Sequence, residues 1–538
     1  MGKYSVVTFA PVQGFIEKSR KLRDLYGASL ILSYLSKKIA KHVDQDPDLR
    51  LISPASPNIL KGMPNRILIK GELTKETAEH IILCSWKELL KHCREWIEGN
   101  ITNCGPYYWE REWSLWGSHA WEVFQGSGDT IIAAMSDLEV KKLSRDWSAV
   151  NWIGESSSLS GSDGIAFPDL GSSHRNPQTL NYGWEKEQIQ NFYTELAKLT
   201  DNTEEENPEG KFIAVNEKLS IPELVKRLIT WHEIQKGINI ERSLTNFREI
   251  QRKPTETFKG QWTGWFMGDG DRVGYHLQKL ARMEDPDTAI HNFSLAIREW
   301  GRDFERGFDL GKVVYAGGDD FLGVIYSQDP SLSVSPLTAY EWLLGLNDTW
   351  KKHEQEISLS VGFVWVAGSV PQRDVLQHCR EAEKVAKSRG RNRITMRILF
   401  NSGQYVQWTC PWDYLDILTK YKDREGKANW SHIYQDLAYL KSRRAFDIDD
   451  RTNVNKTKLV EITALVTALH FLDLYFPSQD SEPSLVTTLI NQMNKNQEEL
   501  AQKLSGFSDD ADTIEKAKAI IDWITDLVEV GWHLCSIT

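Results

Sequence analysis

Two short β-prone runs, residues 313–316 and 321–325, are separated only by Gly317-Gly318-Asp319-Asp320. That spacing is a hairpin signal, and a hairpin forces the two runs to pair antiparallel. The neighbours then have few places to go. Upstream, residues 265–268 read as a strand and 288–304 as a helix. Downstream, 341–353 read as a helix and 357–366 as a strand. In that strand Ile357, Leu359, Val361, Phe363 and Trp365 share one face. A helix over 374–389 and a strand over 394–400 follow. The order is β-α-β-β-α-β-α-β. Its first six elements form the split arrangement known as ferredoxin-like, here extended by a helix and a strand.

The rest of the 538 residues is too long for one core and suggests three or four domains. Residues 5–9 read as a strand, 15–43 as a helix, 65–70 as a strand and 74–97 as a helix, which gives a second α+β unit over 1–150. Residues 151–260 are less regular, with a Ser/Gly loop at 156–164, an acidic loop at 201–210 and a helix at 221–235. The α+β unit that carries the hairpin spans 261–405. Beyond Pro411 the β signal fades, and 430–445, 456–475, 484–504 and 511–532 read as helices of a C-terminal domain over 406–538.

The net charge is −11. A protein that grips nucleic acid by itself is more often basic, because phosphate contacts need Lys and Arg. Nucleic acid is therefore not the main partner, or other subunits hold it. Six scattered cysteines form no C-x-x-C pair, so no zinc is expected. No signal-peptide layout or membrane-length apolar run occurs, and a cytoplasmic protein is expected.

Three motifs carry chemistry. Gly268-Asp269-Gly270-Asp271-Arg272-Val273-Gly274 sits where a strand gives way to a helix. A carboxylate there is rigidly placed, and the glycines let backbone N–H groups approach an anion. The plain alternative is a capped strand-to-helix turn, and Asp271 is expected to cap that helix. Asp319 and Asp320 repel each other at the hairpin tip, a cost that Mg²⁺ or Mn²⁺ removes; the plain alternative is a solvated turn. In a β-α-β-β unit the first strand ends beside this hairpin, so Asp269 and Asp319 face one metal pair suited to in-line phosphoryl transfer. The third motif runs from Lys387 to Arg393, with four cations in seven residues. Alone it reads as a helix end capped by Gly390; with the aspartates upstream, Lys387 reads as a phosphate ligand.

These residues resemble the large, Cas10-type subunit of type III CRISPR RNA-targeting complexes, in its Cmr branch. The resemblance rests on 11–16 (Pro-Val-Gln-Gly-Phe-Ile), 20–25, 29–35, 64–66, 217–219 and 224–228, and on Asp269-Gly270-Asp271 with Gly317-Gly318-Asp319-Asp320. Ala386-Lys387 with Gly390-Arg391-Asn392 is also similar to the GGDEF cyclases. The resemblance implies two ferredoxin-like palms packed head to tail around ATP, only the second catalytic, with a middle insertion and a helical tail. It implies catalysis by Asp269, Asp319 and Asp320, with metal held by these and Gly270. ATP contacts fall to Gly270, Asp271, Arg272, Gly317, Gly318, Lys387 and Arg391. The implied activity is target-RNA-activated synthesis of cyclic oligoadenylates from ATP. Alternatives are conjugation of ATP with S-adenosylmethionine, or a scaffold with little signalling. Implied partners are a Cas5-like subunit, a small helical subunit, backbone subunits, crRNA and target RNA.

Two departures accompany the resemblance. The first palm starts at residue 5 and no His-Asp dipeptide occurs, so DNA cleavage by an HD nuclease domain is not expected. Ser157-Ser158-Leu159-Ser160-Gly161 is similar to the family's zinc loop with serines in place of cysteines, and hydrogen bonds are expected to hold it instead. Gln13, Ser29 and Ser33 are the polar groups with which the first palm would meet a base or ribose.

Overall fold

The computed structural model describes residues 3–56, 62–144, 150–176, 178–200, 212–238, 252, 260–327, 329, 332–423, 425–448, 462–476, 504, 506 and 513–536. Ten strands form two sheets. The first contains β1 (Tyr4–Ala10), β2 (Arg50–Ser53), β3 (Ile67–Lys70) and β4 (Glu122–Gly128) in the order β2-β3-β1-β4. The second contains β5 (Thr263–Gly270), β6 (Gly311–Ala316), β7 (Asp320–Ile325), β8 (Leu359–Val366), β9 (Arg393–Leu399) and β10 (Tyr405–Pro411), in the order β10-β9-β8-β5-β7-β6. Within each, the first four strands take the same ferredoxin-like order, the fourth beside the first and the hairpin beyond it. Both halves of the α+β expectation are met.

The central strand β5 pairs antiparallel with β7 and β8. Its alternation sorts side chains between two layers. On β8 the alternation buries both faces. Leu359, Val361, Phe363 and Trp365 join a core with helices Pro286–Gly307, Pro336–Lys351 and Thr513–Cys535, while Val364 and Val366 join a second core with helix Gln372–Ser388. Gly268 is glycine because the Phe321 ring lies over it: a Cβ there would meet the ring at 2.1 Å.

Several elements differ from the sequence expectation. The helix expected over 15–43 is two, Val12–Glu17 and Leu22–Gln45. The break occurs where the Asp24 carboxylate accepts the backbone N–H groups of Arg20 and Lys21, at 2.9 Å each. The helix expected over 221–235 is likewise split, into Ile221–Leu228 and His232–Gly237. Strand β4, Glu-Val-Phe-Gln-Gly-Ser-Gly, has loop-like composition and is recruited by pairing along all of β1. Strand β10 pairs with β9 from Tyr405↔Leu399 to Pro411↔Arg393 and carries the sheet past residue 405. Of the helices expected at 430–445, 456–475, 484–504 and 511–532, three are described, as Ser431–Ser442, Thr463–Tyr475 and Thr513–Cys535. The acidic loop at 201–210 and all of 484–504 except Leu504 lie outside the described residues.

The described part of 151–260 packs onto the first sheet. Phe192, Tyr193, Leu224 and Leu228 share a core with Val7, Phe9, Ile67 and Ile69. A buried ion network fastens it. Arg227, fully enclosed, donates to Asp24 (Nε–Oδ1 2.6 Å, Nη2–Oδ2 3.0 Å), to Glu217 at 3.2 Å and to the Phe212 carbonyl at 2.7 Å. Lys21 completes it with Glu217 at 2.8 Å. Burial alone would raise the Asp24 pKa, but Arg227 outweighs it and holds the carboxylate ionised. The Ser157 loop sits nearby. Ser157 Oγ donates to Glu223 at 3.1 Å and lies 3.1 Å from Ser160 Oγ, so hydrogen bonds hold this loop as the serines suggested.

Removing one partner of a buried pair strands the other charge. Arg227→Met is therefore expected to destabilise the fold by about 3–5 kcal/mol, read as a fall in the urea midpoint; a loss below about 1 kcal/mol, typical of a surface pair, would contradict this account of the network.

Candidate active site between the two sheets

The end of β5 and the β6–β7 turn place three carboxylates at the mouth of one cavity. Asp269 and Asp320 are register partners across β5 and β7. Asp319 is fixed beside them because its carbonyl accepts the Gly270 N–H at 2.9 Å. The cavity, about 390 Å³, is lined by Asp269, Gly317, Gly318, Asp319 and Asp320 from the second unit and by Ser29, Ser33 and residues 62–66 from the first. Gln13 is not part of its lining. Ser33 Oγ is buried with no hydrogen-bond partner.

Lys387 forms the ion pairs at this cluster, 2.9 Å from Asp269 Oδ1 and 2.6 Å from Glu383 Oε1, and Arg66 of the first unit adds a weaker pull on Asp319. One ammonium cannot balance four carboxylates, and the acidities respond. Enclosure and the Asp269 charge push the Asp319 pKa up to about 6. Asp320 opens to water in the cleft, yet the surrounding walls, Asp319 and Asp269 push it up to about 7. Asp269 rises too, through burial, with Lys387 opposing.

The expected ATP contacts do not all meet in this cavity. Asp271 is a correction. It neither caps the next helix, whose N-cap is Arg272 with no side-chain bond, nor faces the cleft. It is buried and accepts from Ser360 Oγ (2.7 Å), Ser358 Oγ (2.8 Å) and the Asn392 N–H (2.9 Å). Its neighbours on β8 and the Arg391–Asn392 turn offer more donors than a single helix end would. Arg272 and Arg391 line a separate recess of about 380 Å³ with Tyr275 and Lys279. Gly270 and Lys387 line neither, although the Lys387 ammonium reaches Asp269.

Sequence reasoning missed the apolar wall of the cavity: Leu277, Ile290, Phe293 and Ile297, from helices Val273–Leu280 and Pro286–Gly307. Their helical spacing reads as ordinary core, and only the fold shows the face open to a cleft. It also missed Arg298, which joins the two units at the Gly317 turn.

The chain matches two family models: Cas10/Cmr2, second palm domain, over residues 263–395, and CRISPR-associated protein Cmr2, N-terminal, over residues 4–90. Residues 263–395 thus carry a Cas10/Cmr2 second palm domain and residues 4–90 a Cmr2 N-terminal domain. The two sheets are consistent with Cas10 palm domains, a family whose fold is of nucleotidyltransferase and cyclase type. Among solved structures it is similar to a type III-B Cmr-beta complex chain in the apo state (11% identity, 98% of this chain and 81% of that one, TM-score 0.53). It is also similar to a chain of the Csm1–Csm4 cassette in complex with one ATP (13% identity, 99% and 70%, TM-score 0.45). No curated protein matches significantly.

A palm of this kind works on a nucleotide with a divalent metal. Among the described residues no group of three or more His, Cys, Asp or Glu side chains is arranged to hold a metal alone. That agrees with the chemistry of Mg²⁺, which takes one or two carboxylates and completes its shell with water and substrate phosphates. Uncompensated carboxylates at a cavity mouth fit such a shared ion.

The raised pKa values have a signed consequence. The folded chain keeps protons that unfolded aspartates, at about 3.9, release. Stability from the cluster is intact below about pH 4 and is lost as pH rises towards about 7. In chelator, Asp320→Asn is expected to melt higher than the unaltered chain at pH 8 and at the same temperature at pH 4. A difference independent of pH would contradict the assigned repulsion.

Proposed function

We propose that this chain is the ATP-polymerising subunit of a type III-B CRISPR effector complex, and that target RNA switches on its synthesis of cyclic oligoadenylates. The observation that carries the reading is the cavity itself: three crowded carboxylates on one palm face two serines of the other. Asp269, Asp319 and Asp320, with the Gly270 carbonyl, would hold Mg²⁺ or Mn²⁺. Such ions, when bound, lower the pKa of a 3′-hydroxyl and neutralise a triphosphate.

The chain's own groups do the rest. Lys387 exchanges its bond to Asp269 for a phosphate once other charge balances that carboxylate. Leu277, Ile290, Phe293 and Ile297 give a flat apolar seat for adenine, and Ser29 and Ser33 Oγ meet the sugar or base of the second nucleotide. Water is kept from the attacking hydroxyl by the contact between palms. The complex supplies a Cas5-like subunit, a small helical subunit, backbone subunits and crRNA, which agrees with an acidic chain that does not hold RNA alone.

The test is incubation of the assembled complex with target RNA, ATP and S-adenosylmethionine, with mass spectrometry of the products. Cyclic oligoadenylates are expected. Asp319→Ala with Asp320→Ala is expected to cut the rate roughly a thousandfold, equivalent to about 4 kcal/mol of lost stabilisation, with assembly intact. Lys387→Ala is expected to raise the KM for ATP or lower kcat. A double variant with full activity, or a product containing the S-adenosylmethionine skeleton, would overturn the assignment.

A further inference from the structure

Arg298 lies on helix Pro286–Gly307 and has no carboxylate partner among the described residues. It spends its donors on backbone. Nη1 donates to the Gly317 carbonyl at 2.8 Å and to the Gly62 carbonyl at 3.1 Å, and Nε donates to the Ser56 carbonyl at 3.2 Å. Gly317 opens the catalytic turn, while Ser56 and Gly62 belong to the first palm. One guanidinium therefore ties the turn to the opposite palm.

The backbones it joins are in direct contact. A Cβ on Gly317 would come within 2.5 Å of the Gly62 carbonyl carbon and 2.8 Å of the Met63 nitrogen. Gly62 has φ +79°, a left-handed backbone that favours glycine. A side chain at Gly317 would clash with this backbone, so the turn and the first palm meet here backbone to backbone. The turn's second tie is the Gly270 N–H to the Asp319 carbonyl. It fastens the turn to β5 within its own palm, whereas Arg298 is the side chain that hydrogen-bonds the turn's Gly317 carbonyl and the first palm together. Burial lowers the Arg298 pKa to about 10, which still leaves it charged at neutral pH.

We propose that Arg298 is a positioning residue: by clamping Gly317 to Gly62 it holds Asp319 and Asp320 at a fixed reach from a nucleotide seated on the first palm. The carbonyl acceptors suit an arginine, whose planar fork holds several oxygens at set angles; a lysine is a point donor. This deepens the proposed function and rests on it for its kinetic consequence, but not for its structural one. Arg298 acts through the turn, so its loss should disturb presentation of the carboxylates more than ATP affinity.

The test uses Arg298→Met and Arg298→Lys in the assembled complex. Amide hydrogen exchange is read at Gly317, Gly318 and Asp319 and, as control, along β5 and β8. In Arg298→Met, exchange at the turn is expected to rise about tenfold or more while the strands are unchanged. kcat is expected to fall about tenfold or more with the KM for ATP within about threefold, and Arg298→Lys is expected to recover part of both. Gly62→Ala perturbs the same contact from the first palm, at an acceptor of the unaltered arginine, and should loosen the turn likewise. Unchanged exchange at the turn in Arg298→Met and Gly62→Ala would overturn the proposal, whether or not any product is made. A raised KM with unchanged kcat would also overturn it, since that marks a group that binds substrate directly.

Discussion

Like charges crowded at one strand end are the constraint to which this architecture answers. Asp269 and Asp320 are opposed across two hydrogen-bonded strands, so neither can move away without breaking the sheet. Asp319 is held by its own backbone to Gly270. A single ammonium, Lys387, offsets them and is shared with Glu383. A fold that needed only stability would have no use for such a cluster. Its retention at the mouth of a cavity makes sense if a cationic ligand and a polyanionic one are to meet there.

The two palms contribute unequally to that meeting. The second supplies every carboxylate of the cluster, the first supplies hydroxyls and backbone. The first palm is in turn stiffened from behind by the Asp24–Arg227–Glu217–Lys21 network, which fastens the middle region to helix Leu22–Gln45. The start of that helix, Leu22 and Leu25, packs against the second sheet, while its later turns pack against the first. One helix thus belongs to both cores, and the Arg227 network is anchored at the end of it that packs on the second sheet.

Much of this was legible in the residues. The Gly-Gly-Asp-Asp hairpin fixed the pairing of β6 with β7, and hydrophobic alternation located β5, β8 and β9 to within two residues or so. The strands that escaped notice, β2, β4 and β10, are short or polar and exist because a partner strand recruits them; tertiary pairing outweighs local propensity there. Asp269, Asp319 and Asp320 were found because paired carboxylates have no good reason to sit in a turn. Asp271 was misread because a sequence shows an Asp near a helix start but not the hydroxyls of Ser360 on β8 and of Ser358 just before it. Arg298 was invisible for the same reason: an arginine on an amphipathic helix looks like surface until the carbonyls it binds, from chain segments far apart in sequence, are brought to it.

The division of labour between the palms is tested most directly by the structure of the complex with a non-hydrolysable ATP analogue and Mn²⁺, with the metals located by anomalous scattering. The account predicts two nucleotides between the palms and every protein ligand to manganese among Asp269, Gly270, Asp319 and Asp320. Manganese coordinated by any side chain from residues 1–150, or nucleotide bound away from the cavity between Ser33 and Asp319, would contradict it.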